Sequence, residues 1–62
     1  MRVKFDGKWR SIRFKGSVGE LLEKLGLNNQ VFIVKANGRI VPETKELGND
    51  AVVELLKVIL GG

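Results

Sequence analysis

Neither histidine nor cysteine occurs among the 62 residues. The imidazole general base, the thiol nucleophile, disulfides and the usual N/S zinc sites are therefore ruled out. Tyrosine is missing as well. What remains for chemistry is seven carboxylates, eleven cationic side chains, a few hydroxyls and the two chain ends. The acids Glu43, Glu46, Asp50 and Glu54 lack the pocket-scale fold that paired acid–base work requires. The inventory points to a binding or carrier module rather than an enzyme, with no cofactor of its own. The sequence closes on Leu60-Gly61-Gly62, directly after an apolar strand pattern. Taken by itself, a terminal Gly-Gly reads as a loose end.

The cations are unevenly placed. Residues 1 to 16 hold Arg2, Lys4, Lys8, Arg10, Arg13 and Lys15 against Asp6 alone, a local charge of +5, whereas residues 17 to 62 sum to −1. Such a segment suits a polyanion, an acidic partner or plain solvation. With Trp9 available to stack on a base, a basic nucleic-acid-binding module is the alternative reading. It leaves the Gly-Gly end unexplained, and Phe5, Phe14 and Phe32 read as core.

The elements that must position these residues follow from periodicity. Val3 and Phe5 alternate with Arg2, Lys4 and Asp6, and a second strand spans Trp9 to Phe14. With Gly7-Lys8 as the tight turn, the pairs run Asp6–Trp9, Phe5–Arg10, Lys4–Ser11, Val3–Ile12, Arg2–Arg13 and Met1–Phe14. Met1, Val3, Phe5, Ile12 and Phe14 then share one face, with Arg10 among them, and Arg2, Lys4, Trp9, Ser11 and Arg13 share the other. Ser17-Val18-Gly19-Glu20 reads as a capping box. Val18, Leu21, Leu22 and Leu25 give the apolar stripe of a helix of about two and a half turns. Gly26 suits its C′ position.

A third strand, Val31 to Ala36, leads through Asn37-Gly38 into Arg39-Ile40-Val41, which Pro42 closes as an edge. Residues 43 to 50 are polar around one anchor, Leu47. A last strand runs from about Val52 to Ile59, and it should lie parallel to the first in the middle of the sheet. The expected architecture is α+β, one helix on one face of a mixed four- or five-stranded sheet. Met1, Val3, Phe5, Ile12, Phe14, Leu21, Leu25, Phe32, Val34, Val53 and Leu55 should form the core. Residues 1–59 should make one domain, with 60–62 a flexible tail.

Asn37-Gly38 followed by Val41-Pro42, then Leu47-Gly48-Asn49-Asp50-Ala51-Val52-Val53-Glu54 and Leu60-Gly61-Gly62, resembles the ThiS and MoaD family of ubiquitin-like sulfur carriers across the whole chain. One departure is Gly48-Asn49-Asp50, where the family shows Gly-Asp directly before the last strand. The resemblance implies a β-grasp fold whose working group is the Gly62 carboxylate. A partner adenylating enzyme of the ThiF or MoeB kind would activate it with ATP and magnesium. A sulfur donor would then leave a thiocarboxylate for a sulfur-accepting synthase in thiamin, molybdopterin or tRNA thiolation. In a protein-modifier branch, lysines of target proteins would take the carbonyl instead. Gly61 and Gly62, lacking Cβ atoms, let a narrow channel close around their backbone.

The outer sheet face then gains a role. Trp9 beside Leu56 and Val58, with Ile33 near them and Leu60 following, would form an apolar patch ringed by Arg2, Lys4 and Arg13. Trp and Arg concentrate in interface hot spots, so this patch is where a partner should dock. The apolar runs are far shorter than the roughly 18 residues of a membrane span. The N-terminus has no signal-peptide core, so a cytoplasmic location is expected.

Overall fold

The computed structural model describes residues 1–59. The elements, in chain order, are β1 (Arg2–Phe5), β2 (Lys8–Ser11), β3 (Gly16–Ser17), α1 (Val18–Lys24), β4 (Phe32–Ala36), β5 (Arg39–Val41), β6 (Glu46–Leu47) and β7 (Val52–Lys57). Five of the strands form one sheet in the order β2-β1-β7-β4-β5, while β3 and β6 form a separate two-stranded pair. Strands β1 and β7 run parallel at the centre, and every other neighbouring pair is antiparallel. One helix against a mixed five-stranded sheet is the β-grasp arrangement.

The first hairpin corrects the expected register. Its pairs are Arg2–Ser11, Val3–Arg10, Lys4–Trp9 and Phe5–Lys8. The turn is therefore Asp6-Gly7, not Gly7-Lys8. Both residues have positive φ, 55° and 75°, which a type I′ turn requires and which Asp-Gly supplies at little steric cost. The strands thus slip by two residues from the expected pairing. A one-residue slip would have exchanged the faces, but two residues restore the alternation. Val3 and Phe5 still face inward and Arg2, Lys4 and Trp9 outward. The second strand also ends at Ser11 and the last at Lys57, both short of their expected limits.

Asn37-Gly38 forms the second tight turn, with φ of 51° and 84°. Asn37 also ties this hairpin to β7. Its N–H donates to the Val52 carbonyl at 2.8 Å, and its Oδ1 accepts from the Val52 N–H at 3.0 Å.

The helix begins where the capping box requires. The Glu20 N–H donates to Ser17 Oγ at 3.1 Å, and the Ser17 N–H donates to Glu20 Oε1 at 3.0 Å. Accepting from that amide holds the Glu20 carboxyl below its ordinary value of 4.5. The two amides before Glu20 are satisfied from outside, since Val18 and Gly19 donate to the carbonyls of Lys45 and Glu43 at 2.9 and 3.0 Å. The other end closes as a Schellman motif, with Leu27 donating to the Leu22 carbonyl at 2.8 Å and Gly26 to that of Glu23 at 3.0 Å.

Seven helical residues would not persist alone in water, so docking holds them. Val18, Leu21 and Leu22 are buried with Val3, Val34, Ala36, Leu47, Ala51, Val53 and Leu55. Met1, Phe5, Ile12, Phe14, Leu25, Leu27, Phe32 and Val41 pack around them. Every expected core residue falls in one of these two groups.

Candidate functional site

The sheet's outer face is built by alternation. One row crosses all five strands through paired positions: Trp9 on β2, Lys4 on β1, Glu54 on β7, Lys35 on β4 and Ile40 on β5. On one side of it lie Ser11, Arg2 and Val52, and on the other Leu56 and Ile33, themselves partners across β7 and β4. Apolar Val52, Leu56 and Ile33 flank the row together with polar Ser11 and Arg2, so the face is a mosaic and not a continuous apolar sheet.

At its β2 end, the Arg2 guanidinium carbon stands 4.7 Å from the Trp9 ring centroid and the Lys4 ammonium 5.8 Å. Cations over an indole at an exposed site contribute about 0.5–1 kcal/mol each. Trp9 keeps 46% of its surface open. The Lys4 ammonium also meets Glu54 Oε2 at 3.9 Å, with both side chains more than a third exposed. That pair contributes at most about 1 kcal/mol, but it sets a charged partition across the face.

Leu56 and Ile33 make the second cluster, 40% and 42% exposed. Trp9 sits two strands away from β7, so it and Leu56 form separate clusters with the Lys4–Glu54 partition between them. The structure brings Trp9, Arg2 and Lys4 together, and it brings Leu56 together with Ile33. Val58 follows β7, half-buried, and its N–H donates to the Val31 carbonyl at 2.9 Å. This bond continues the β4 pairing one residue past the strand. Ile59, 84% exposed, comes next. Arg13 is exposed beyond the end of β2. Leu60, Gly61 and Gly62 lie outside the described residues.

Alternation along the last strand already puts Glu54 on this face with Leu56, whereas Lys35 and Ile40 were not expected there. Their signal was present: each stands an even number of residues from an outward-facing neighbour or directly opposite one. Among the described residues, no group of three or more Asp or Glu comes together to hold a metal ion, and no helix is long and apolar enough to cross a membrane. The face offers shape, charge and apolar contact, which is binding chemistry.

Compared with known proteins, residues 3–62 match the model of the ThiS family. No curated protein matches the chain.

Proposed function

The chain belongs to the ThiS family of ubiquitin-like sulfur carriers, small proteins that are not themselves enzymes and that work with adenylating and sulfur-transfer partners, and from that premise we propose that the carboxylate of Gly62 is its reactive group. A carboxylate is a poor electrophile. Attack of its oxygen on the α-phosphorus of ATP, within a partner enzyme that supplies magnesium, expels pyrophosphate and leaves an acyl-adenylate. A sulfur nucleophile then adds to the acyl carbon and expels AMP, giving a thiocarboxylate that passes its sulfur onward. None of these steps needs a catalytic side chain from the carrier, which agrees with a sequence lacking His and Cys.

The observation that supports this reading most is that the family match runs through Gly61 to Gly62. The outer face supplies the complementary half. We assign Trp9, Arg2 and Lys4 as one docking cluster and Leu56 with Val58 as the other, with Arg13 at the margin, and we assign Leu60, by its place in the sequence alone, to the same partner-binding role. An adenylating enzyme held by these clusters would receive the chain that leaves β7.

The test pairs this protein with an adenylating enzyme from its own host. Removal of Gly61 and Gly62 should leave unfolding free energy within about 0.5 kcal/mol of wild type and abolish ATP–pyrophosphate exchange. Gly61→Val, which adds branched atoms where backbone must pass, should do the same. The protein recovered from its host should show a mass gain equal to sulfur replacing one oxygen. Normal exchange by the shortened chain would overturn the proposal. Gly62 in isopeptide linkage to other proteins' lysines would move it to the modifier branch.

A further inference from the structure

Among the described residues β2 is the longer of the sheet's two edge strands, four residues against three in β5, and all four are exposed. Which of its backbone groups face outward follows from the ladder. The Met1 amino group donates to the Ile12 carbonyl at 3.0 Å, and the Ile12 N–H donates to the Met1 carbonyl at 2.9 Å. Met1–Ile12 is thus a hydrogen-bonded pair, and in an antiparallel ladder such pairs alternate with non-bonded ones. Val3–Arg10 and Phe5–Lys8 are the next bonded pairs, while Arg2–Ser11 and Lys4–Trp9 are not bonded. The N–H and C=O groups of Trp9 and Ser11 consequently point away from β1, toward solvent, as a free template for another strand.

Two further features surround this template. On the helix side, Arg10 and Ile12 of the hairpin and Leu25 and Leu27 after the helix border a notch of about 100 Å³, floored by Val3 and Phe5. Its scale is that of one aliphatic side chain. Along the edge, Lys8, Arg10, Arg13 and Lys15 are all exposed, and Asp6 at the turn is the only acid among the first sixteen residues. Most sheets protect an open edge with charge, and cations alone would serve that purpose. A cationic edge beside an apolar notch does more: it favours an acidic strand with an aliphatic residue to insert.

We propose that the β2 edge is a second binding site, which accepts an extended protein segment carrying aliphatic residues flanked by carboxylates. The segment adds to the sheet by backbone hydrogen bonds to Trp9 and Ser11, places an aliphatic side chain in the Ile12–Leu25–Leu27 notch, and sets its acids against Lys8, Arg10 and Arg13. Main-chain bonding supplies affinity, and the notch and the cations supply selection. This site does not use Gly62 and stands whether or not that carboxylate is activated.

The probe is the blocked peptide Glu-Asp-Val-Ile-Val-Asp-Glu, titrated into the full-length protein. Trp9 is the only tryptophan, so its emission reports directly on the edge. Saturable change is expected, with amide shifts confined to residues 8–13 and 25–27. Arg10→Glu should weaken binding about tenfold, whereas Arg39→Glu on the opposite edge, with the same change in net charge, should not. Ser11→Pro removes an outward donor without touching the Val3–Arg10 or Met1–Ile12 pairs, and should also weaken binding about tenfold. Should that variant fail to fold, a peptide N-methylated at alternate amides makes the same test on the wild-type protein and should not bind. Equal losses from Arg10→Glu and Arg39→Glu, undiminished binding of the methylated peptide, or oligouridylate binding the edge more tightly than the peptide would each overturn the proposal.

Discussion

Strand β7 carries one valine and one leucine on each of its faces, and their fates are opposite. Val53 and Leu55 retain 0% and 3% of their surface, whereas Val52 and Leu56 each retain 40%. The difference lies in the neighbours. Val53 stands between Val3 and Ala36, and Leu55 between Phe5 and Val34, in the same buried cluster as the helix residues Leu21 and Leu22. Val52 stands beside Arg2, and Leu56 beside Ile33 with nothing packed above them among the described residues. Identical residue types serve stability on one face and stay available for contact on the other. The strand's composition alone could not have assigned those roles.

The largest effect should come from the inner leucine. Leu55→Ala leaves a cavity in the buried cluster and should cost about 2–5 kcal/mol in urea unfolding, whereas Leu56→Ala should cost under about 1 kcal/mol. Equal costs would erase the distinction between the faces.

A smaller effect divides the outer face itself. Trp9→Ala should leave the fold nearly intact and weaken the complex with the adenylating enzyme by more than about 1 kcal/mol. Trp9 and Leu56 are two strands apart and two residues out of level, roughly 11–12 Å. Their losses on binding should therefore add to within about 0.5 kcal/mol in a double-mutant cycle. Strong coupling would mean that the Lys4–Glu54 partition does not separate two clusters.

The smallest effect concerns the cap beneath the inner face. Since the Glu20 carboxyl titrates lower in the folded protein than its ordinary 4.5, its contribution is present above that value and is lost as pH falls through the lowered one. Glu20 is exposed, so the change is slight. Glu20→Gln, which keeps the reciprocal hydrogen bond, should flatten the acid limb of the melting temperature against pH. An unaltered limb would place the acid sensitivity elsewhere.

What was legible in the sequence was what depends on local spacing. The Ser17–Glu20 cap, the C′ glycine at Gly26 and the face assignments of β1 and β7 all follow from residues within one turn or one strand. The hairpin register failed because two turns competed for Gly7 and differ only in whether Asp6 or Lys8 joins it. The extended run before the helix gave no sign of the β3–β6 pair, since two residues are too few to show a period. Ala36 and Ala51 were passed over as core because small residues carry little hydrophobic signal, though their burial is nearly complete at 7% and 5%. The distance from Trp9 to Leu56 depends on how many strands intervene, and the expected patch placed them side by side without counting β1.

The parallel pairing of β1 with β7 also governs the order of assembly. Its partners are about fifty positions apart, so the central contact is among the least local in the chain and among the slowest to form. Before Val52–Lys57 is in place, the larger sheet exists only as two hairpins, β1–β2 and β4–β5, with no strand in common. Isolated hairpins are marginal in water. A chain interrupted anywhere upstream of Val52 therefore has no partial fold to fall back on and remains open to proteolysis. During synthesis, the keystone is the piece made after all the other strands, and the residues that follow it are joined to the very segment whose arrival closes the domain.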